Sequence, residues 1–158
     1  MPLQKKKYYQ VILYFCRKLG GEIRGKKKLA KLLYFADFDF FEKNGKPITG
    51  DTYKALPMGP FPISLDEIVA DMKKKNLLDI RTVEEREGYV PTEVYSSRVE
   101  PNPTSLTTDE KKILDRVIKN YGGLNGKQLE DLTHNEAPYV GTELKKENAI
   151  HVGILAYC

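Results

Sequence analysis

The feature that most constrains this chain is a helical segment at residues 26–43 whose apolar side chains surround the helix axis. At about 100° per residue, two apolar faces form on opposite sides of this helix. The first face holds Leu29, Leu32, Leu33, Ala36 and Phe40. The second face is aromatic and holds Tyr34, Phe35, Phe38 and Phe41. A helix that is apolar all round is normally buried, so we predict that it forms the centre of the core and ends at Asn44-Gly45.

The segments around this helix predict further helices that would pack against it. Residues 4–19 carry apolar side chains at helical spacing and stop at Gly20-Gly21. Capping boxes, in which a Ser or Thr is followed by Glu three residues later, predict helix starts at Ser64 and Thr107. A short helix is predicted over residues 127–133. The chain should therefore contain about five helices.

Strand signals are weaker and confined to the middle of the chain. Residues 77–84 and 89–95 are rich in β-branched residues and tyrosine and flank a glycine turn, which predicts a β-hairpin. Residues 47–63 hold four prolines, which favours an irregular segment with one short strand near 52–56. Residues 149–156 are apolar and fit either a strand or a helix. The predicted fold class is α+β, a mostly helical single domain over residues 1–158 with a small antiparallel β-hairpin or sheet.

Charge is distributed unevenly along the chain. Residues 1–81 hold 17 Lys and Arg against 9 Asp and Glu, a net +8, whereas residues 82–158 hold 9 against 13, a net −4. A basic front half indicates either an acidic or nucleic-acid partner, or simply lysines on solvated faces. The charge pattern leaves both interpretations open.

The location of the protein is predicted from its cysteines and its apolar runs. Cys16 and Cys158 match neither a disulfide framework nor a zinc-ligand spacing, which is typical of a reducing compartment. The apolar run after Lys5–Lys7 is short and lacks a cleavage site, and no stretch reaches the roughly 18 apolar residues of a membrane span. We predict a cytoplasmic protein with no membrane partner.

Motifs for catalysis and cofactor binding are incomplete. His134-Asn135-Glu136 has the His-x-Glu spacing of zinc deaminases, but the Pro-Cys-x-x-Cys that would complete the metal site does not follow. The glycine-rich stretch at residues 122–126 lacks the Lys-Ser/Thr of a phosphate-binding loop. We therefore predict no catalytic, cofactor-binding or metal-binding residues, and expect that the protein is not an enzyme.

Four ordered motifs resemble those of a known family. Leu29-Ala30-Lys31-Leu32-Leu33-Tyr34-Phe35-Ala36 is followed by Asn44-Gly45-Lys46-Pro47-Ile48-Thr49-Gly50 and Met58-Gly59-Pro60, and much later by a segment at residues 132–139 that reads Leu-Thr-His-Asn-Glu-Ala-Pro-Tyr. Over residues 5–145 this order resembles the Panacea domain, the SocA-like antitoxin family of bacteria and their phages. The family more often has tyrosine in place of Met58 and tryptophan in place of Tyr139.

The resemblance implies a function and a partner. It implies an antitoxin that neutralises a cognate protein toxin by direct contact. A protease would be a second partner if the chain acts as an adaptor, as at least one member of the family does. Aromatic residues are our candidates for the contact surface, since aromatic side chains rimmed by charge are typical of binding hot spots. They are Tyr34, Phe38, Phe41, Phe61 and Tyr139.

Two other function classes compete with this prediction. The helix that begins at Ser64, the basic run Lys73-Lys74-Lys75 and the following hairpin are similar to the recognition helix and wing of a nucleic-acid binder. Glu84, Glu85 and Glu87 at the tip of that hairpin would repel phosphates, so we expect no nucleic-acid partner. An enzyme built on His134 and Glu136 is the remaining alternative.

Overall fold

In a computed structural model, residues 2–85, 87–88, 90–133 and 147–148 are described. Their helices are α1 (Lys5–Lys18), α2 (Lys26–Asn44), α3 (Leu65–Lys74), α4 (Thr108–Tyr121) and α5 (Gly126–Thr133). Their strands are β1 (Glu22–Arg24), β2 (Tyr53–Leu56), β3 (Gly59–Pro62), β4 (Leu78–Val83), β5 (Thr92–Ser97) and β6 (Glu147–Asn148). The α+β class, with helices predominating over two small antiparallel sheets, is confirmed.

Helix α2 lies at the centre of the core, as its two apolar faces predict. Its aliphatic face and its rings Tyr34, Phe35, Phe38 and Phe40 are buried, and α4, α5 and β3 pack around it. Phe35 stacks on Tyr121 of α4 with ring centroids 4.0 Å apart. The helix stops where Gly45 adopts a φ of 73°, the left-handed conformation that glycine accepts without cost.

The predicted hairpin forms and gains a third strand. β4 and β5 pair antiparallel, and β1 adds to the free side of β5 to give the order β1-β5-β4. The second strand starts at Thr92 rather than residue 89. We did not predict β1, because three residues between Gly21 and Gly25 are too few to show an alternating pattern.

The second sheet has the order β3-β2-β6. We predicted β2 but treated residues 59–62 as irregular, because Pro60 and Pro62 lack the N–H group that a ladder needs. Within the described residues β3 lies at the edge of this sheet. Ile63 N–H donates to Thr52 O. In an antiparallel ladder the backbone N–H and C=O groups of alternate residues point to the same neighbouring strand. The backbone groups at the odd positions of β3 therefore point towards β2, and those of both prolines point away from it. An edge strand accommodates prolines in that register.

One of the two predicted capping boxes forms and the other does not. Thr107 accepts a hydrogen bond from Glu110 N–H, and the Glu110 carboxylate accepts one from Thr107 N–H. The capping box at Ser64 and Glu67 is wrong, although α3 begins where predicted. Ser64 makes no side-chain cap, and its backbone N–H donates to the buried carboxylate of Asp51. The Ser64 N–H thus donates to Asp51, which lies outside the helix, instead of to Glu67 within it.

Replacing Thr107 with alanine should lower the free energy of unfolding by about 1 kcal/mol, since an N-cap hydrogen bond is lost. Ser64→Ala is the matched control, because Ser64 precedes a helix without capping it. We expect the control to change stability by less than about 0.5 kcal/mol. Urea unfolding measures both. Equal losses in the two variants would contradict the capping assignment.

Among the described residues, no helix combines the length and the apolarity that crossing a lipid bilayer requires.

Candidate partner-binding surface

A tight turn between β2 and β3 carries the most prominent apolar side chain of this region. Leu56 pairs with Gly59 across the turn, so Pro57 and Met58 occupy its two central positions. Proline at the first central position and glycine after the second are typical of a type I turn. Met58 therefore projects outward and is 55% exposed.

A buried lysine lies directly beneath this turn. Lys31 of α2 is 2% exposed, and its Nζ donates a hydrogen bond of 2.8 Å to the carbonyl oxygen of Pro60. The Pro60 carbonyl points away from β2 and has no partner in the ladder of the two strands, so Lys31 satisfies an acceptor at the edge of the sheet. Gly59 fits between Lys31 and α5. A Cβ on this glycine would lie 2.6 Å from Thr133 Oγ1 and 2.9 Å from Lys31 Cε.

These residues line a small cavity, which we call the Met58 pocket. Its volume is about 140 Å³. It is lined by Lys26, Lys27, Lys31, Leu56, Met58, Gly59 and Phe61. Leu56, Met58 and Phe61 form its wall on the β2–β3 side, and three lysines of α2 line the opposite side. The surface thus combines an apolar wall with a cationic rim.

The lysines of this rim differ in their partners. Lys26 forms ion pairs with Asp66 at 2.8 Å and with Glu93 at 3.4 Å. Lys27 pairs with Glu130 of α5 at 2.9 Å. Within the described part of the chain, Lys31 has no ion pair, and its hydrogen-bond acceptor is the neutral Pro60 carbonyl.

Burial lowers the pKa of Lys31 from its ordinary 10.5 to about 8. The nearby Glu130 carboxylate acts in the opposite direction, and the Lys27 ammonium lowers the pKa further. Removing water from around an ammonium disfavours its charged form, and a single neutral acceptor does not compensate for that loss. Near neutral pH, Lys31 is therefore a charged group that lacks a close counterion among the described residues.

Lys31 should make stability depend on pH in a definite direction. Because its pKa is lower in the folded than in the unfolded chain, the unfolded chain binds more protons between about pH 8 and pH 10.5, and stability rises with pH there. Between about pH 7.5 and pH 9.5, the wild type should gain roughly 2 kcal/mol relative to Lys31→Met. Urea unfolding at both pH values checks this. Parallel pH profiles would contradict a charged, buried Lys31.

A second buried polar group fixes the segment that leads to β2. Asp37 of α2 is fully buried and accepts four hydrogen bonds of 2.5–2.8 Å. Its donors are the backbone N–H groups of Ile48 and Thr49 and the hydroxyls of Thr49 and Tyr53. Burial raises the pKa of Asp37, while these hydrogen bonds lower it. Asp37 thereby ties residues 48–53 to the central helix.

Asp51 extends this network to α1 and α3. Its carboxylate accepts hydrogen bonds from the Tyr8 hydroxyl at 2.7 Å and from the backbone N–H of Thr52 and Ser64. Burial raises the pKa of Asp51, against the effect of these donors. Together the two aspartates hold both ends of the β2–β3 hairpin. They position the Met58 turn without being part of its exposed surface.

The structure buries two of the five aromatic contact candidates. Tyr34 is 0% exposed and Phe38 is 5% exposed, and their rings stack with centroids 5.8 Å apart. Helix α2 is covered on both faces, so these two rings belong to the core and offer no surface to a partner. The sequence did not indicate this burial, because an aromatic face on a helix is equally suited to a core and to an interface.

The other three candidates have different outcomes. Phe61 is partly buried and lines the Met58 pocket. Phe41 is half-buried near the end of α2, away from the residues that line the pocket. Tyr139 lies outside the described residues, as do His134 and Glu136. Of the candidates that the structure describes, Phe61 is the one that lines this surface.

Cys16 lies in the core rather than in a reactive setting. Its side chain is fully buried, and burial raises the pKa of the thiol to about 12. A thiol with that pKa remains protonated near neutral pH, and the thiolate is the form that acts as a nucleophile. The structure thus gives Cys16 a packing role.

Most of the chain matches a known protein family. A sequence model of the family described as antitoxin SocA-like, Panacea domain, matches residues 29–139. The chain belongs to this family. No curated protein and no solved structure matched the chain. Membership of this antitoxin family supports an antitoxin role and a toxin as partner.

Within this Panacea domain, three of the four family motifs meet at one place. The Leu29–Ala36 motif supplies Lys31, the Met58-Gly59-Pro60 motif supplies the turn above it, and Thr133 of the last motif lies against Gly59. We did not single out Lys31 or Asp37 from the sequence. Their signal was present, because each is a charged residue within a helix that is otherwise apolar, and buried charges usually have a specific partner.

Proposed function

We propose that this Panacea-domain protein is a cytoplasmic antitoxin that neutralises a cognate protein toxin by direct contact. The family match over residues 29–139 carries this proposal. Its members are grouped as antitoxins, and the chain presents a pocket with an apolar wall that is suited to protein contacts. We place the contact on the surface around the Met58 pocket, including Phe61.

The internal arrangement of polar groups supports a binding role over a catalytic one. Asp37 and Asp51 are occupied by hydrogen bonds that fix the hairpin, and Cys16 is a protonated core thiol. These groups therefore serve the scaffold. What the described surface offers is a side chain such as Met58, exposed on a turn that is anchored from beneath.

Co-expression tests the proposed function. The product of the adjacent gene should stop bacterial growth when expressed alone, and growth should return when this chain is expressed with it. A chain carrying Asp37→Ala, expected to unfold, is the negative control. The proposal would fail if the neighbouring product is harmless, or if it remains toxic at equal levels of this chain.

A nucleic-acid binder is the second candidate, because the structure forms the helix and wing that the sequence resembles. α3 is followed by the β4–β5 hairpin, and β1 completes a three-stranded sheet. The charges oppose this function. Asp66 and Glu67 occupy the exposed first turn of α3, the end that usually contacts bases, and Glu85 lies by the hairpin tip.

An electrophoretic shift assay across a salt series distinguishes the two candidates. We expect no retardation of duplex DNA near physiological ionic strength. Binding that weakens steeply with salt would support the nucleic-acid function instead. Alanine replacement of His134 and Glu136 tests the enzymatic alternative, since an antitoxin acting by contact should retain activity if these residues have no catalytic role.

A further inference from the structure

We infer that the Met58 pocket receives an apolar side chain of the toxin that is accompanied by an aspartate or glutamate, so that the toxin presents an acidic, apolar segment to this surface. The inference rests on the proposed function and specifies the chemistry of the partner. Three observations support it: the size of the pocket, its apolar wall, and Lys31, a rim lysine that forms no ion pair within the described part of the chain.

The pocket has the size of one side chain. Its volume of about 140 Å³ is close to that of an engineered cavity of roughly 150 Å³ that binds benzene. One leucine-sized or phenylalanine-sized group would therefore fill it. Leu56, Met58 and Phe61 supply carbon surface for such a group. Met58 suits this position, because an unbranched thioether adapts its shape to an incoming side chain.

The charges of the rim favour an acidic partner. Lys26 and Lys27 are already paired with carboxylates of this chain, at 2.8 and 2.9 Å. Lys31 forms no such ion pair among the residues that the structure describes. One of its three N–H donors is used in the hydrogen bond to the Pro60 carbonyl. Among the described residues, the rim ammonium without an ion pair is thus the one that lies beneath the turn, at the buried end of the pocket.

A carboxylate next to the anchoring side chain would supply that counterion. In a site closed to water, an ammonium and a carboxylate form a charge-assisted hydrogen bond, roughly twice as strong as a neutral one. A basic segment would instead place like charges side by side at low dielectric. The same pocket therefore selects for acidic over basic partners as well as for an apolar anchor.

The test uses two opposite charges at one exposed position. The purified adjacent-gene product is titrated with the wild-type chain, Met58→Glu and Met58→Lys, and Kd is measured by calorimetry. Both changes remove the apolar wall, but only glutamate repels a carboxylate. We expect Met58→Glu to weaken binding at least about 30-fold, the range of a hot-spot residue, and Met58→Lys to weaken it several-fold less.

Two further variants complete the design. Val99→Glu introduces the same charge at an apolar position of similar exposure, 42%, that does not line the pocket, and should change Kd less than about threefold. Lys31→Met removes the ammonium and should weaken binding roughly tenfold or more. Since Lys31 also holds Pro60, thermal unfolding must show that this variant is folded before its Kd is compared.

The outcomes separate this inference from the function on which it rests. If the wild type neither binds nor neutralises the toxin, both fail. If the wild type neutralises but Met58→Glu does so equally well, or if Met58→Lys is the weaker binder, only the inference is overturned. Sedimentation of the chain alone addresses a second copy as occupant. A dimer that Met58→Glu dissociates, with toxin binding unchanged, would also overturn it.

Discussion

Replacing Asp37 with alanine is expected to lower the free energy of unfolding by about 3–5 kcal/mol, enough to unfold much of the protein. The loss is large because four donors converge on this carboxylate in the core. Alanine would leave the Ile48 and Thr49 N–H groups and the Tyr53 hydroxyl buried without an acceptor. Circular dichroism during urea unfolding measures the effect.

Asp39 provides the matched control for this experiment. It lies two residues further along α2, is mostly buried, and contacts Arg116 at 3.6 Å without the converging backbone donors. Asp39→Ala should lower the free energy of unfolding by about 1 kcal/mol or less. Asp37→Asn keeps one acceptor oxygen, so its loss of stability should lie between those of Asp37→Ala and Asp39→Ala. Equal losses for Asp37→Ala and Asp39→Ala would show that the network does not stabilise the fold.

Replacing Gly59 with alanine should have the second large effect and lower the free energy of unfolding by about 2–4 kcal/mol. Two causes add. Gly59 has a φ of +106°, which strains any residue with a Cβ. The new Cβ would also lie 2.6 Å from Thr133 Oγ1 and 2.9 Å from Lys31 Cε, both buried groups with little room to move.

Gly25 separates these two causes. Its φ is +102°, close to that of Gly59, but a Cβ there would meet nothing within 4 Å. Gly25→Ala should therefore show the backbone strain alone. We expect Gly59→Ala to be less stable than Gly25→Ala by at least about 1 kcal/mol in thermal or urea unfolding. If the two variants lose equal stability, the close packing of Gly59 against Lys31 and Thr133 is not as described.

Helices and their ends were predictable because their signals are local. The apolar surface of α2, the Gly45 stop and the Thr107–Glu110 capping box depend on neighbours within a few residues. β1 and β3 were not predictable in the same way. β1 is defined by pairing with a strand about 70 residues away, and β3 carries prolines that only an edge position allows.

The binding surface was predictable only in part, for a related reason. Aromatic residues of α2 looked alike in sequence, and burial of Tyr34 and Phe38 depends on what packs against each side. The family motifs located the right segments, yet their meeting point at Lys31 is a tertiary contact between α2, β3 and α5. A lysine within an apolar helix was the one local sign of that contact.

Reconstitution from purified components tests the central claim, neutralisation by contact, most directly. The wild-type chain is mixed with the purified adjacent-gene product, with no protease present, and both complex formation and toxin activity are measured. We predict a complex of defined stoichiometry in which toxin activity falls in proportion to the chain added. Full toxin activity in the presence of excess chain, or a loss of activity only after protease is supplied, would contradict neutralisation by contact.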